Sequence, residues 1–204
     1  MKPGKIYHIY NHGNADDNLF RCDENYRYFL QKYGEHVHPV VDTYAYCLMP
    51  NHFHFLLKVK EDSLTNLMGF ENLSGLKLEQ KIVQQFSNFF NAYTKAFNKM
   101  YERKGKLFLT PFKRKPITNS WHFLNTWKYI HYNAVRHQFT KDPYEWPFSS
   151  IHDYRLKKSD FISLLYPDLS GFENLSGLKM ESDLQFLGAK GLMPDWNDFL
   201  EFDY

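Results

Sequence analysis

Two histidines, His52 and His54, are the first residues in the sequence whose type and spacing could do chemistry. Residues i and i+2 of a β-strand point to the same face, so both imidazoles would project together while Phe53 enters the opposite face. Two imidazoles side by side can hold one divalent metal ion. The alternative is a pair of histidines on a solvated strand face, because ten histidines in 204 residues produce such a triplet readily by chance. The triplet therefore indicates a metal site only if a further ligand joins it.

A second group of polar side chains lies on a predicted helix over 119–136. At 100° per residue, one line along this helix carries His122, Asn125, Tyr129, Asn133 and Arg136. The far side is apolar and would be buried, with Phe123, Leu124, Trp127, Ile130 and Ala134. Tyr129 and Asn133 are one turn apart, and a phenol near a metal and a cation is a candidate nucleophile. The alternative is that Tyr129, one of 15 tyrosines, lies at the edge of the core.

The order of the predicted elements indicates how these side chains would be positioned. Strand patterns cover residues 5–11, 40–49, 52–59 and 113–118. Helix patterns begin at Asp23, extend from Ile82 through Met100 toward an end at Gly105, and cover 119–136. The order β-α-β-β-α-β is typical of an α+β fold with a ferredoxin-like antiparallel sheet and helices on one face. We expect a further helix over 119–136 and a C-terminal tail to follow this pattern.

Charge is distributed unevenly along the chain, although the net charge is only +2. Residues 91–140 carry ten Lys and Arg against one acidic residue, Glu102, a balance of +9. Residues 171–204 carry two basic and seven acidic residues, a balance of −5. A basic middle followed by an acidic end suggests a polyanionic ligand for the middle segment. The alternative is a solvated helix face followed by a solvated tail.

Several classes of protein are disfavoured by composition. No apolar stretch approaches the ~20 residues of a membrane span, and the first residues lack the apolar region of a signal peptide. Cys22 and Cys47 form neither a disulfide framework nor a metal-binding pair. We therefore expect a cytoplasmic protein with reduced thiols that does not enter a membrane.

Four segments of the chain resemble one family. Residues 44–57, YAYCLMPNHFHFLL, are similar to the histidine–hydrophobe–histidine motif of single-tyrosine HUH transposases, and more narrowly to that of the REP-associated tyrosine transposases. Residues 129–136, YIHYNAVR, resemble the catalytic-helix motif of that family. Residues 7–14 resemble its opening strand, and 146–150 resemble the segment after its catalytic helix. The four motifs occur in the family's order and cover about residues 4–155.

The resemblance implies an HUH single-tyrosine transposase domain over 1–155. It leaves 156–204 as an acidic extension to which it assigns no role. Two positions depart from the family pattern, since His12 stands where the family usually has Arg and Ala134 where it usually has Pro. The first departure bears on a DNA contact and the second on the local end of the helix.

The resemblance also implies a reaction and a set of residues. Tyr129 would attack a phosphodiester of single-stranded DNA, leaving a 5′-phosphotyrosine and a free 3′-hydroxyl that allows the strands to be rejoined. His52, His54 and Asn133 would bind Mg²⁺ or Mn²⁺, which would polarise the scissile phosphate. The partner would be a DNA hairpin formed by repeated palindromes, and the protein would act as a monomer or a homodimer.

Five basic residues are candidates for DNA binding under this interpretation. Lys113, Arg114 and Lys115 would line a groove, with Phe108 and Phe112 as rings on which bases stack. Lys128 and Arg136 would contact phosphates beside Tyr129. The alternative for all five is a solubilising role on exposed faces.

Two other functions are compatible with the same motifs. One is a catalytically silent, domesticated protein that binds hairpin DNA with the same fold. The other is a phosphodiesterase whose metal activates water, with Tyr129 in a structural role. A covalent protein–DNA adduct would separate the transposase from both.

Overall fold

The computed structural model describes residues 1–61 and 75–156. The chain forms the following elements in order: β1 Ile6–His12, α1 Asp23–His36, β2 Val41–Met49, β3 His52–Val59, α2 Gly75–Met100, β4 Lys113–Pro116, α3 Ser120–Arg136 and α4 Ile151–Leu156. The predicted α+β class is confirmed, and so is the order of its elements. The predicted acidic extension, apart from Leu156, lies outside the described residues. Among the helices of the described ranges, none is long and apolar enough to cross a membrane.

The four strands form one antiparallel sheet in the order β2-β3-β1-β4. This is the ferredoxin-like arrangement that the element order predicts, because α1 carries the chain over the sheet and leaves a place for β3 between β1 and β2. The register places His12 opposite His52 and Tyr10 opposite His54. Alternate residues of β1 and β3 therefore share the face on which both predicted histidines project.

One face of the sheet packs against α1 and α2 through an aromatic core. The ring of Tyr33 stacks on Phe55 at 4.3 Å between centroids, and Phe29 meets Phe89 at 4.6 Å. Such ring pairs contribute about 0.5–1.5 kcal/mol each beyond the area that they bury. Phe53, between the two histidines of β3, is fully buried in this core. The aromatic core thus fixes the strand from which His52 and His54 project.

The opposite face of the sheet is covered by α3. Its apolar side packs on β2 and β3 in a second core, formed by residues that include Ala45, Cys47, Leu56, Phe123, Trp127 and Ile130. The two helices of the predicted β-α-β-β-α-β pattern, α1 and α2, lie on one face as predicted, and the added helix α3 lies on the other. Asn119 caps α3, since its side chain accepts a hydrogen bond from the backbone N–H of His122 at 2.8 Å.

The end of α2 differs from the prediction. The helix ends at Met100, and Glu102 already has a φ of 51°, so the helix does not extend to Gly105. Met100 is 56% exposed instead of lying on the buried face. The rest of the predicted apolar face, from Ile82 to Phe97, is buried as expected.

Candidate active site

Histidines from β1 and β3 form a row on the face of the sheet that α3 covers. The rings of His52 and His54 lie 5.2 Å apart between centroids and are nearly perpendicular. His12 stacks on His52 from the neighbouring strand at 4.8 Å, and His137, just beyond the end of α3, approaches His52 at 4.9 Å. The alternation of β3 thus places both predicted metal ligands on one face, as their spacing requires.

Helix α3 brings Tyr129 and Asn133 to this row. The amide oxygen Oδ1 of Asn133 lies 3.0 Å from Nε2 of His52. The ring of Tyr129 meets the ring of His54 edge to face at 5.2 Å. Both helical residues face the sheet because the apolar residues beside them on α3 pack on β2 and β3. The four residues predicted for catalysis and metal binding therefore meet within one chain.

Burial favours the neutral form of both candidate metal ligands. Burial lowers the pKa of His52 to about 3, and burial together with the neighbouring histidines lowers the pKa of His54 well below its ordinary value. A neutral imidazole keeps a lone pair on one ring nitrogen, which is the form that binds metal ions.

The surroundings of His52 fit a cation. Its Nδ1 lies 2.7 Å from Oδ1 of Asn51, and its Nε2 lies 3.0 Å from Oδ1 of Asn133. A neutral imidazole has one N–H, so with the amides in these orientations one of its nitrogens directs a lone pair at an oxygen. A divalent cation held by His52 and Asn133 would accept such a lone pair and relieve the contact.

Few side chains at this site can bind a metal ion. Within residues 1–61 and 75–156, no group of three His, Cys, Asp or Glu side chains is arranged to hold a metal ion. A site here would depend on the Asn133 amide as the third protein ligand beside His52 and His54. Two imidazoles and one amide oxygen suit Mn²⁺ by ligand softness and accept Mg²⁺.

The phenol of Tyr129 is buried, with 2% of the residue exposed. Burial raises its pKa, and the guanidinium of Arg136 opposes that rise. The Cζ atom of Arg136 lies 5.5 Å from the centre of the Tyr129 ring. Arg136 was predicted as a phosphate contact, and the structure places it against the candidate nucleophile itself.

The basic residues of β4 are divided between the two faces of the sheet. Lys113 pairs with Tyr10 and Lys115 with His8, so both lie on the face of the histidines. Arg114 pairs with Ile9 on the opposite face, where its guanidinium lies 5.8 Å from the ring of Phe112. The structure thus brings Lys113 and Lys115 to the candidate site and directs Arg114 away from it.

The predicted stacking rings are not equivalent either. Phe108 is 5% exposed and belongs to the aromatic core, so the prediction that its ring receives a base is wrong. Phe112 is partly buried and stacks on Phe86 at 5.3 Å. Lys128 is partly buried on α3, next to Tyr129 in sequence but about 100° around the helix from it.

One residue of the site, His8, was not singled out from the sequence. It is fully buried, and its Nε2 lies 3.0 Å from Nδ1 of His54. The signal was the alternation of His8, Tyr10 and His12 on β1, which repeats the pattern of β3. This alternation places His8 beside His54 only because β1 pairs with β3, and the sequence alone does not show that pairing.

Comparisons with known proteins bear on the fold and on the resemblance to a family. No protein-family model matches the chain. It is 26% identical over 117 residues to a Haemophilus influenzae protein that is named as a REP-associated tyrosine transposase. The match covers 56% of this chain and 61% of that protein, so the chain spans about three fifths of the length of this curated relative.

A solved structure has a similar fold. It is a REP-associated tyrosine transposase bound to a REP hairpin, and it superposes with a TM-score of 0.52 at 19% identity. The alignment covers 77% of this chain and 82% of the other. The resemblance predicted from the four sequence motifs is confirmed by the two comparisons together.

Proposed function

We propose that this chain, which is similar to the REP-associated tyrosine transposases, cleaves and rejoins single-stranded DNA at hairpins of repeated palindromes. The observation that supports this most directly is the meeting of Tyr129, Asn133, His52 and His54 in one buried site. A nucleophile, three candidate metal ligands and a cation are the parts that phosphodiester transfer to a tyrosine needs.

In the proposed reaction, the phenolic oxygen of Tyr129 attacks the scissile phosphorus. The bond from phosphorus to the 3′-oxygen breaks, the 3′-oxygen takes up a proton, and the 5′-phosphate stays on Tyr129 while the phenolic proton is lost to solvent. The phosphotyrosine preserves the energy of the broken bond, so a second 3′-hydroxyl can attack it and rejoin the strands without ATP.

The side chains around Tyr129 have separate tasks in this reaction. The Arg136 guanidinium favours loss of the phenolic proton, because a cation beside the ring stabilises the phenolate. His52, His54 and Asn133 would hold Mg²⁺ or Mn²⁺, which when bound supplies polarisation of the scissile phosphate.

The DNA backbone would approach the site along β4, on the face of the sheet that carries the histidines. Lys113 and Lys115 lie on that face, and the Nζ atom of Lys115 lies 6.0 Å from the ring of Tyr10. We assign backbone contacts to these two lysines and a more peripheral contact to Lys128. A DNA substrate would place the reaction in the cytoplasm. Tyr129 meets His54 within the protomer, which supports attack on DNA bound by the same protomer, in a monomer or a dimer.

A covalent adduct assay tests the proposal. The purified full chain is incubated with Mn²⁺ and a palindromic hairpin with single-stranded flanks, labelled at its 3′ end. We expect a labelled protein band that survives denaturation and disappears when a chelator is present. Cleavage without an adduct would instead support a metal-dependent phosphodiesterase, and binding without cleavage would support a silent hairpin-binding protein.

A further inference from the structure

His8 lies beside His54, in the interior between the sheet and α3. On β1 it precedes Tyr10, which pairs with His54, so His8 is the diagonal neighbour of His54 across the two strands. The two rings are stacked with centroids 5.1 Å apart, and Nε2 of His8 lies 3.0 Å from Nδ1 of His54. His8 is fully buried, and His54 is 2% exposed.

We propose that His8 is a positioning residue that holds His54 in the tautomer with its proton on Nδ1, which leaves Nε2 to bind the metal ion. This inference rests on the proposed function, because it assigns His8 a task at the metal site. His8 itself contacts neither the ion nor the DNA in this arrangement.

The contact between the two rings allows two arrangements of protons. In one, Nδ1–H of His54 donates to Nε2 of His8, and Nε2 of His54 keeps its lone pair. In the other, Nε2–H of His8 donates to Nδ1 of His54, and the proton of His54 occupies Nε2. Only the first arrangement leaves His54 able to bind a metal through Nε2, because a neutral imidazole carries a single ring proton.

The same pattern occurs at the second candidate ligand. His52 also engages Nδ1 with a neighbouring side chain, the amide oxygen of Asn51 at 2.7 Å, and directs Nε2 at Asn133. Both candidate ligands therefore have Nδ1 in contact with a partner in the protein. Outer partners of this kind fix the tautomer and ring orientation of ligating histidines.

An apolar residue would be the simpler occupant of position 8 if packing were its only task. The site is closed to solvent, and transfer of an imidazole into such a place costs free energy, which the contact of Nε2 with Nδ1 of His54 offsets in part. Nε2 of His8 lies within hydrogen-bond distance of Nδ1 of His54, and it can accept a hydrogen bond when the proton of His8 is on its own Nδ1. A neutral acceptor at this point is what the Nδ1–H tautomer of His54 requires.

The first experiment measures the tautomer of His54 in the metal-free full chain by ¹⁵N NMR of the imidazole nitrogens. His8→Phe keeps a ring of similar size and removes the acceptor, while His8→Gln keeps an amide that accepts a hydrogen bond. We expect His54 to carry its proton on Nδ1 in the wild type and in His8→Gln, and to lose that preference in His8→Phe. A wild-type proton on Nε2, or an unchanged tautomer in His8→Phe, would overturn the inference.

The second experiment measures Mn²⁺ binding by electron paramagnetic resonance without DNA. We expect His8→Phe to weaken Mn²⁺ affinity roughly 10–100-fold, the usual cost of losing an outer-sphere partner, and His8→Gln to retain most of it. His131→Gln is the matched control, because His131 is also fully buried but bonds to Ser150 and packs on Trp127 away from the site. It should lower thermal stability without changing Mn²⁺ affinity.

The two experiments separate failure of the inference from failure of the proposed function. Equal Mn²⁺ affinity in the wild type and in folded His8→Phe would contradict the role of His8 while leaving the metal site in place. No Mn²⁺ binding by the wild type would contradict the proposed metal site. In that case the NMR result would still decide whether His8 sets the tautomer of His54.

Discussion

Strand β3 presents phenylalanines to one face of the sheet and histidines to the other. Phe53 and Phe55 enter the aromatic core with α1 and α2, whereas His52 and His54 meet Tyr129 and Asn133 under α3. Consecutive residues thus serve opposite purposes, because side chains alternate across a strand. On the phenylalanine face, burial removes apolar surface from water and stabilises the fold. On the histidine face, burial removes polar rings from water and costs free energy.

The two faces of the sheet have different roles: one stabilises the fold, and the other carries the candidate active site. The candidate active site requires side chains that are held in fixed positions. Packing on the phenylalanine face provides this, because it fixes the backbone of β1 and β3, which also carries the histidines. Substitutions on the two faces should therefore differ in kind. Changes on one face should lower stability, and changes on the other should remove activity while the protein remains folded.

The largest effect is expected from Tyr129→Phe, which removes one oxygen from the histidine face. The covalent adduct should disappear completely while hairpin affinity and the unfolding midpoint stay close to those of the wild type. Denaturing gels, a DNA-binding titration and thermal unfolding measure the three quantities. Tyr132→Phe is the matched control on the same helix and should leave the adduct intact. If Tyr129→Phe still formed the adduct, the nucleophile would be another residue.

The second prediction compares neighbours on β3. Phe53→Ala should lower the free energy of unfolding by about 3–5 kcal/mol, because it leaves a cavity among the rings of Phe29, Phe90 and Phe108. His52→Ala should lower it by less, because the loss of packing is offset by removal of a buried polar ring. Urea titrations of both variants measure the difference. Equal losses of stability would show that the two faces do not divide their tasks in this way.

The elements were predictable because their signals are local. Alternation along 52–59 and the line of Tyr129 and Asn133 on α3 depend only on the periods of strand and helix. The side of the sheet that α3 covers, and the pairing of β1 with β3, depend on contacts between distant segments. His8 was therefore missed, since its importance comes from a neighbour 46 residues away.

The other differences between prediction and structure concern the two faces of β4, the burial of Phe108 and the end of α2. The charge of the segment predicts one groove for Lys113, Arg114 and Lys115, but consecutive residues of a strand cannot share a face. The sequence does not predict the burial of Phe108, because packing of a loop residue against Phe29, Phe53 and Phe90 has no sequence signature. Gly105 predicts the end of α2, whereas the chain leaves the helix after Met100.

The third prediction concerns the dependence of the free energy of unfolding on pH. Burial lowers the pKa of His8, His52 and His131 to about 3 from an ordinary value of 6.5, so the unfolded chain binds protons that the folded chain does not. The free energy of unfolding should therefore fall as pH drops below about 6.5, by up to about 1.4 kcal/mol per pH unit for each such histidine. Urea titrations between pH 7.5 and 5 measure the slope. A stability that does not change over this range would mean that these rings are protonated or solvated in the folded protein.

The smallest effect is expected at β4, where two adjacent basic residues lie on opposite faces. Lys115 is on the histidine face beside Tyr10, and Arg114 is on the other face beside Phe112. Lys115→Gln should weaken binding of a single-stranded flank and lower the slope of log affinity against log salt by about 0.7, because one fewer phosphate is neutralised. Arg114→Gln removes the same charge one residue away and should leave that slope nearly unchanged. If both substitutions reduce the slope equally, the DNA path crosses the edge of the sheet, and the separation of the two faces does not extend to DNA binding.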